Sequence, residues 1–190
     1  MLRRRLSGSA VASLLTSVVA AVVLLGPALG PGVVLSYDLA VSPDARWTPF
    51  TAGIGASAPR AVPSDAVNVL LGEVLGAEIA QKVILLGVLV LAGTGAAHLL
   101  GRVSRPPVGA VVATTVAALW NPYVAERLAI GQWTTLLGYA VLPWAFAAVL
   151  AVRRASGGTP REHHGQSRSP VPMLLAWTVF SGLAGAYGLV

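Results

Sequence analysis

Residues 9–29 contain no charged side chain, and a run of that length constrains a chain more than anything else in its sequence. About 20 apolar residues cross a hydrocarbon core roughly 30 Å thick. Within that core the backbone must satisfy its own polar groups, so only helices and closed barrels span it. Four further apolar stretches follow at 83–100, 108–120, 134–152 and 171–190. The second is interrupted only by His98, and the third is short and stops at Asn121-Pro122. No strand-like alternation of apolar and polar residues accompanies them, which argues against a barrel. The expected fold class is therefore all-α: a polytopic transmembrane helical bundle of about five spans, forming one integral membrane domain over 1–190.

Composition agrees. Hydrophobic residues make up 55% of the 190 and charged residues 11%, whereas soluble domains carry about 25% charged residues. The absence of cysteine excludes disulfides, zinc-thiolate sites, iron–sulfur clusters and cysteine nucleophiles. Arg3-Arg4-Arg5 ahead of the first stretch can also open a signal peptide, but the apolar run exceeds the usual 7–15 residues of such a peptide. Pro27 and Pro31 flank a poor cleavage site as well, so an uncleaved anchor is expected.

The net charge of +6 is a matter of topology. Lys and Arg accumulate on the cytoplasmic side of membrane spans. With the N-terminus cytoplasmic, Arg3, Arg4, Arg5, Arg102, Arg105, Arg153, Arg154, Arg161 and Arg168 fall inside, against Arg46, Arg60, Lys82 and Arg127 outside or at the outer boundary, a split of 9 of 13. The acids divide oppositely, with Asp38, Asp44, Asp65, Glu73, Glu78 and Glu126 outside and only Glu162 inside. This arrangement suits a plasma-membrane protein whose partner is the lipid bilayer, and nucleic acid is not expected as a partner.

The segment 153–170, RRASGGTPREHHGQSRSP, reads as a flexible cytoplasmic linker, and its His163-His164 pair as solvated. The outer loop 36–81 differs in kind. Its first half is broken by prolines and holds Trp47 and Phe50, aromatic residues suited to the membrane–water boundary. Its second half starts at Ser64 or Asp65, either able to cap a helix. Val67, Leu70, Leu71, Val74, Leu75 and Ile79 then follow helical spacing. The pattern predicts an amphipathic helix over about 65–78, lying on the outer surface and entering the second span near Gln81-Lys82.

A second polar cluster, NPYVAERLAIGQW at 121–133, follows the short third stretch. Pro122 forbids simple continuation of the helix, and Glu126-Arg127 arrive near membrane depth, where charges pair, line a cavity or function. One reading is an interfacial turn with an aromatic belt of Trp120, Tyr123, Trp133, Tyr139 and Trp144 and a local ion pair. The other is that Glu126, Arg127 and Gln132 face the same outer cavity as the acidic first loop.

The N-terminal anchor, the long outer loop with Tyr37-Asp38 just past the first span, PRAVPSDAV, AEIAQKVILLGVLVLAGTGAAHLL and NPYVAERLAIGQWTTLLGYAVLPW together resemble the N-terminal part of actinobacterial multispanning membrane proteins similar to the glycosyltransferase-C superfamily. The resemblance implies transfer of a sugar from a polyprenyl-phosphate donor to a cell-envelope acceptor at the outer face. It makes Asp38 the expected catalytic acid, with Asp44 second. Arg60, Asp65, Glu126, Arg127 and Gln132 become the candidate substrate-binding residues, with Arg127 and Arg60 supplying cations to the leaving phosphate. No cofactor is implied beyond an optional divalent metal. Such enzymes have more spans, so the chain is expected to be an N-terminal fragment of a longer protein, inactive alone. The alternatives are a non-catalytic membrane scaffold and a transporter or flippase subunit, although no inverted repeat is visible. No P-loop, dinucleotide fingerprint, nucleophile elbow or zinc-protease motif occurs.

Overall fold

A computed structural model of the chain describes residues 8–37, 39, 46–49, 54 and 64–156. The expected fifth stretch at 171–190, the linker beyond Ser156 and its histidine pair lie outside the described residues. The regular elements among the described residues are helices, in the order α1 (Gly8–Leu25, prolonged by a 3-10 turn Gly26–Leu29), α2 (Ser64–Leu75), α3 (Ala77–Val103), α4 (Val108–Leu119), α5 (Pro122–Ala129) and α6 (Trp133–Ser156). Three helices are long and apolar enough to cross a membrane: Gly8–Leu29, Ala77–Val103 and Trp133–Arg154. At 12 residues, α4 reaches only about 18 Å, so it makes a fourth span only together with α5, from which it bends by 41°.

Successive spans alternate in direction, so α3, central against α1, α4, α6 and α2, runs antiparallel to α1 and α4 and parallel to α6, while α1 also packs on α4 and α5 on α6. One end of the bundle carries Arg102, Arg105, Arg153 and Arg154 and is here called the arginine end. The opposite end, where Gly30, Gln81, Asn121 and Trp133 lie, is the loop end.

Burial in α1 is inverted relative to a water-soluble helix. Its inward stripe is Ser13, Ser17, Ala21 and Leu25 at four-residue spacing, while Val11, Leu14, Leu15, Val18, Val19, Val22 and Val23 point outward. Small inward residues let helices approach where lipid gives no hydrophobic reward for association. Ser17 is buried against Gly93, where a Cβ would stand 3.1 Å from Ser17 Cβ and 3.1 Å from Leu119 Cδ1. At Gly95 a Cβ would come within 2.8 Å of Trp144 Cδ1, so α3 and α6 meet there. Two threonine hydroxyls inside the bundle are satisfied along their own helices: Thr94 Oγ1 donates to Val90 O at 2.6 Å and Thr115 Oγ1 to Val111 O at 2.9 Å. Bulkier residues, among them Leu89, Leu119, Val124 and Leu136, fill the core toward the loop end.

Two boundaries differ from those read in sequence. Helix α3 begins at Ala77, six residues before the apolar run, because Glu78 and Lys82 pair at 2.6 Å one turn apart and the helix continues through them. Gly76, at φ +80°, separates α2 from α3. On α2 the buried apolar residue is Val69, 3% exposed, whereas Val74 of the spaced apolar set is 74% exposed and Leu70 is exposed too. The apolar stripe of α2 is thus divided: Val67 packs on the core and Leu71 is half-buried, while Leu70, Val74 and Leu75 point away from the protein.

Candidate functional site

The loop end is assembled around the segment that leaves α1. Gln81, 2% exposed, uses both ends of its amide on one residue: Oε1 accepts from Val34 N at 2.7 Å and Nε2 donates to Val34 O at 2.7 Å. A side chain thereby plays the part of a neighbouring strand for a stretch that has none. The next residue on α3, Lys82, donates to Gly30 O at 2.5 Å while paired with Glu78.

Farther along, the segment docks on the turn between α5 and α6. Ser36 Oγ donates to Ala129 O at 2.5 Å. That contact completes the end of α5, whose last carbonyl would otherwise lack a partner. Glu126 O accepts from Ile130 N at 3.1 Å, Arg127 O from Gln132 N at 2.9 Å and Leu128 O from Gly131 N at 3.1 Å, leaving Ala129 O for Ser36. Gly131 serves two needs. Its φ of +77° is one that side-chain-bearing residues avoid, and a Cβ there would lie 2.6 Å from Leu39 Cβ and 2.7 Å from Leu39 N.

The start of α5 is closed by Asn121. Its Oδ1 accepts from Val124 N at 3.0 Å, and its Nδ2 donates to Ala117 O at 3.2 Å and Ala118 O at 3.0 Å. One side chain caps the beginning of α5 and the end of α4 together. Tyr139 Oη adds a 2.9 Å bond to Ala118 O. The break at Pro122 is thus satisfied internally, as backbone at membrane depth requires.

Around this frame sit three of the expected site residues. Arg127 Nη1 donates to Gln132 Oε1 at 2.5 Å, its guanidinium lies 5.4 Å from the Tyr123 ring centre, and Nη2 stands 3.8 Å from Glu126 Oε2. Tyr123 in turn packs on Tyr139 at 5.5 Å. The Glu126 side chain is 63% exposed and that of Arg127 28%, so their ion pair is a weak, solvent-screened one. Stacking and the Gln132 bond orient the guanidinium instead. Arg127 Nε is buried without a hydrogen-bond partner, a costly state.

Glu126, Arg127 and Gln132 are thus brought together. Asp65 lies in the first turn of α2, a separate element seated on α3. Asp38, Asp44 and Arg60 lie outside the described residues, although Ser36 and Leu39, which bracket the Tyr37-Asp38 pair in sequence, are both held on the α5–α6 turn. Sequence reasoning missed Gln81 and Ser36 as positioning residues. A buried glutamine at the mouth of an apolar span was the available signal for the first; Ser36 gave none. Among the described residues no group of three potential metal ligands occurs. No protein-family model, no characterised protein and no solved structure matches the chain.

Proposed function

We propose that the chain is a glycosyltransferase-like, multi-pass protein of the plasma membrane with a cytoplasmic N-terminus. It transfers a sugar from a polyprenyl-phosphate donor to a cell-envelope acceptor at the outer face, which is the loop end. The observation that carries this reading is the docking of the Ser36–Leu39 stretch onto Ala129 and Gly131, beside the oriented Arg127. Asp38 is the base in this account: the acceptor oxygen attacks the anomeric carbon, its proton passes to the Asp38 carboxylate, and the bond from that carbon to the phosphate oxygen breaks. Asp44 is the second candidate for that role. Arg127 and Arg60 stabilise the charge on the departing polyprenyl phosphate. Asp65, Glu126 and Gln132 bind the substrates. The outward apolar residues of α2, Leu70 and Val74, rest on the outer lipid surface.

The test is transfer of radiolabelled sugar from a polyprenyl-phosphate donor in membranes holding the full-length protein. Asp38→Asn removes the base at nearly constant shape and is expected to abolish transfer with insertion intact. Wild-type transfer by Asp38→Asn would remove the catalytic assignment and favour the scaffold reading.

A further inference from the structure

The arginine end holds a crevice of about 700 Å³, walled by the first turns of α1, the last turns of α3, the start of α4 and Trp144 of α6. We propose that it binds the phosphate head group of an anionic membrane phospholipid, a site separate from the loop end and independent of any transferase activity.

Charge is the first argument. The described residues of the arginine end include Arg102, Arg105, Arg153 and Arg154 and no acid, since the described acids Asp65, Glu73, Glu78 and Glu126 all lie on α2, on the first turn of α3 or on α5. Two of these arginines, Arg102 and Arg105, line the crevice, so its rim is cationic without local compensation. The start of α4 adds the positive end of its helix dipole.

Construction of the rim is the second. Arg102 Nε donates to His98 Nε2 at 3.3 Å. His98 is itself stacked on Trp144 with ring centres 4.8 Å apart, and Trp144 Nε1 donates to Leu91 O at 3.0 Å. Arg154 Nη2 clasps the Arg102 carbonyl at 2.6 Å. A chain of contacts through two aromatic rings therefore sets the direction of one guanidinium, while Arg105 makes no hydrogen bond or ion pair among the described residues. A fixed planar fork beside a free one is the donor set that phosphate oxygens engage.

The third argument selects a lipid over a free anion. Below the rim lie Leu14, Ala97 and Val111 together with Ser13 and Thr94, whose hydroxyls are spent on carbonyls of their own helices, on the parts of α1, α3 and α4 that lead into the bundle. An inorganic anion would leave that floor to water, whereas the glycerol and upper acyl carbons of a phospholipid cover it. Basic pockets between spans at a membrane surface are suited to such head groups.

The experiment uses the full chain, purified in micelles containing phosphatidylcholine and phosphatidylglycerol and analysed by native mass spectrometry. Phosphatidylglycerol is expected to be retained over phosphatidylcholine, without displacement by inorganic phosphate. Arg102→Gln and Arg105→Gln are each expected to weaken retention about fivefold, and Arg153→Gln, at the same end but off the crevice, to leave it unchanged. Gly101→Leu decides between a pocket and surface charge. Gly101 lines the crevice and has open space where a side chain would go, so leucine intrudes into the crevice, keeps every charge and favours the helix. It should weaken selective retention. Arg105 lies in the α3–α4 connection, so Arg105→Gln remains informative if Arg102→Gln does not fold. Equal retention of both lipids, equal loss in Arg153→Gln, unchanged retention in Gly101→Leu, or displacement by inorganic phosphate would each overturn the proposal.

Discussion

Replacing Gln81 by leucine tests how the segment after α1 is held. The two side chains are similar in size, so the change removes an amide while leaving little cavity. Two hydrogen bonds of 2.7 Å disappear together, each with a net contribution of about 1 kcal/mol. The N–H and C=O of Val34 are then stranded, at about 1–3 kcal/mol apiece where water is excluded. Val34 is half-buried, which relieves part of that cost, and the expected loss is about 2–4 kcal/mol. The global assay is unfolding in mixed micelles of increasing dodecyl sulfate, followed by circular dichroism. The local one is amide exchange at Val34, whose protection should fall at least about thirtyfold, because every 1.4 kcal/mol is tenfold. A loss below about 0.5 kcal/mol with Val34 exchange unchanged would refute the reasoning.

Two other substitutions probe the close approaches. Gly131→Ala should destabilise by more than about 2 kcal/mol, since about 1–2 kcal/mol of left-handed backbone cost adds to the contact with Leu39; a neutral effect on the melting temperature in detergent would contradict the tight turn. Gly93→Ala should cost about 1–3 kcal/mol by overpacking against Ser17. Because the buried Ser17 hydroxyl has no partner, Ser17→Ala should be neutral or stabilising and should recover part of the Gly93→Ala loss, whereas strict additivity in the double-mutant cycle would place the two residues apart.

The sequence shows helices wherever uncharged length is the deciding quantity, as in α1 and α6, and it shows the break at Pro122 because a missing N–H is a local fact. It sets the start of α3 too late. An apolar run ends at Lys82 on paper, yet Glu78 and the Gly30 carbonyl absorb that charge and the helix begins at Ala77. Spacing on α2 marks an apolar stripe without saying what covers it: Val67 of that stripe packs on the core, Val74 is exposed, and Val69, outside it, is the most buried apolar residue of the helix. In the candidate site, Glu126, Arg127 and Gln132 are close in sequence, so one turn unites them and a local reading finds them. Ser36 reaches Ala129 across 93 positions and Gln81 reaches Val34 across 47, and no local pattern carries such pairings. The crevice at the arginine end is hidden likewise, since Trp144 and His98 meet only when α6 packs on α3.

The account's central claim is that the segment after the first span is seated through Ser36 and Leu39 on the α5–α6 turn, the turn that also carries Gln132, the partner of Arg127. The chain has no native cysteine, so Ser36→Cys with Ala129→Cys gives a clean pair for a short bifunctional thiol reagent in native membranes. The account predicts rapid, near-complete intramolecular cross-linking of this pair and none for Ser36→Cys with Val103→Cys at the opposite end. Absence of the first cross-link, with both cysteines reactive to a single-ended reagent, would contradict it.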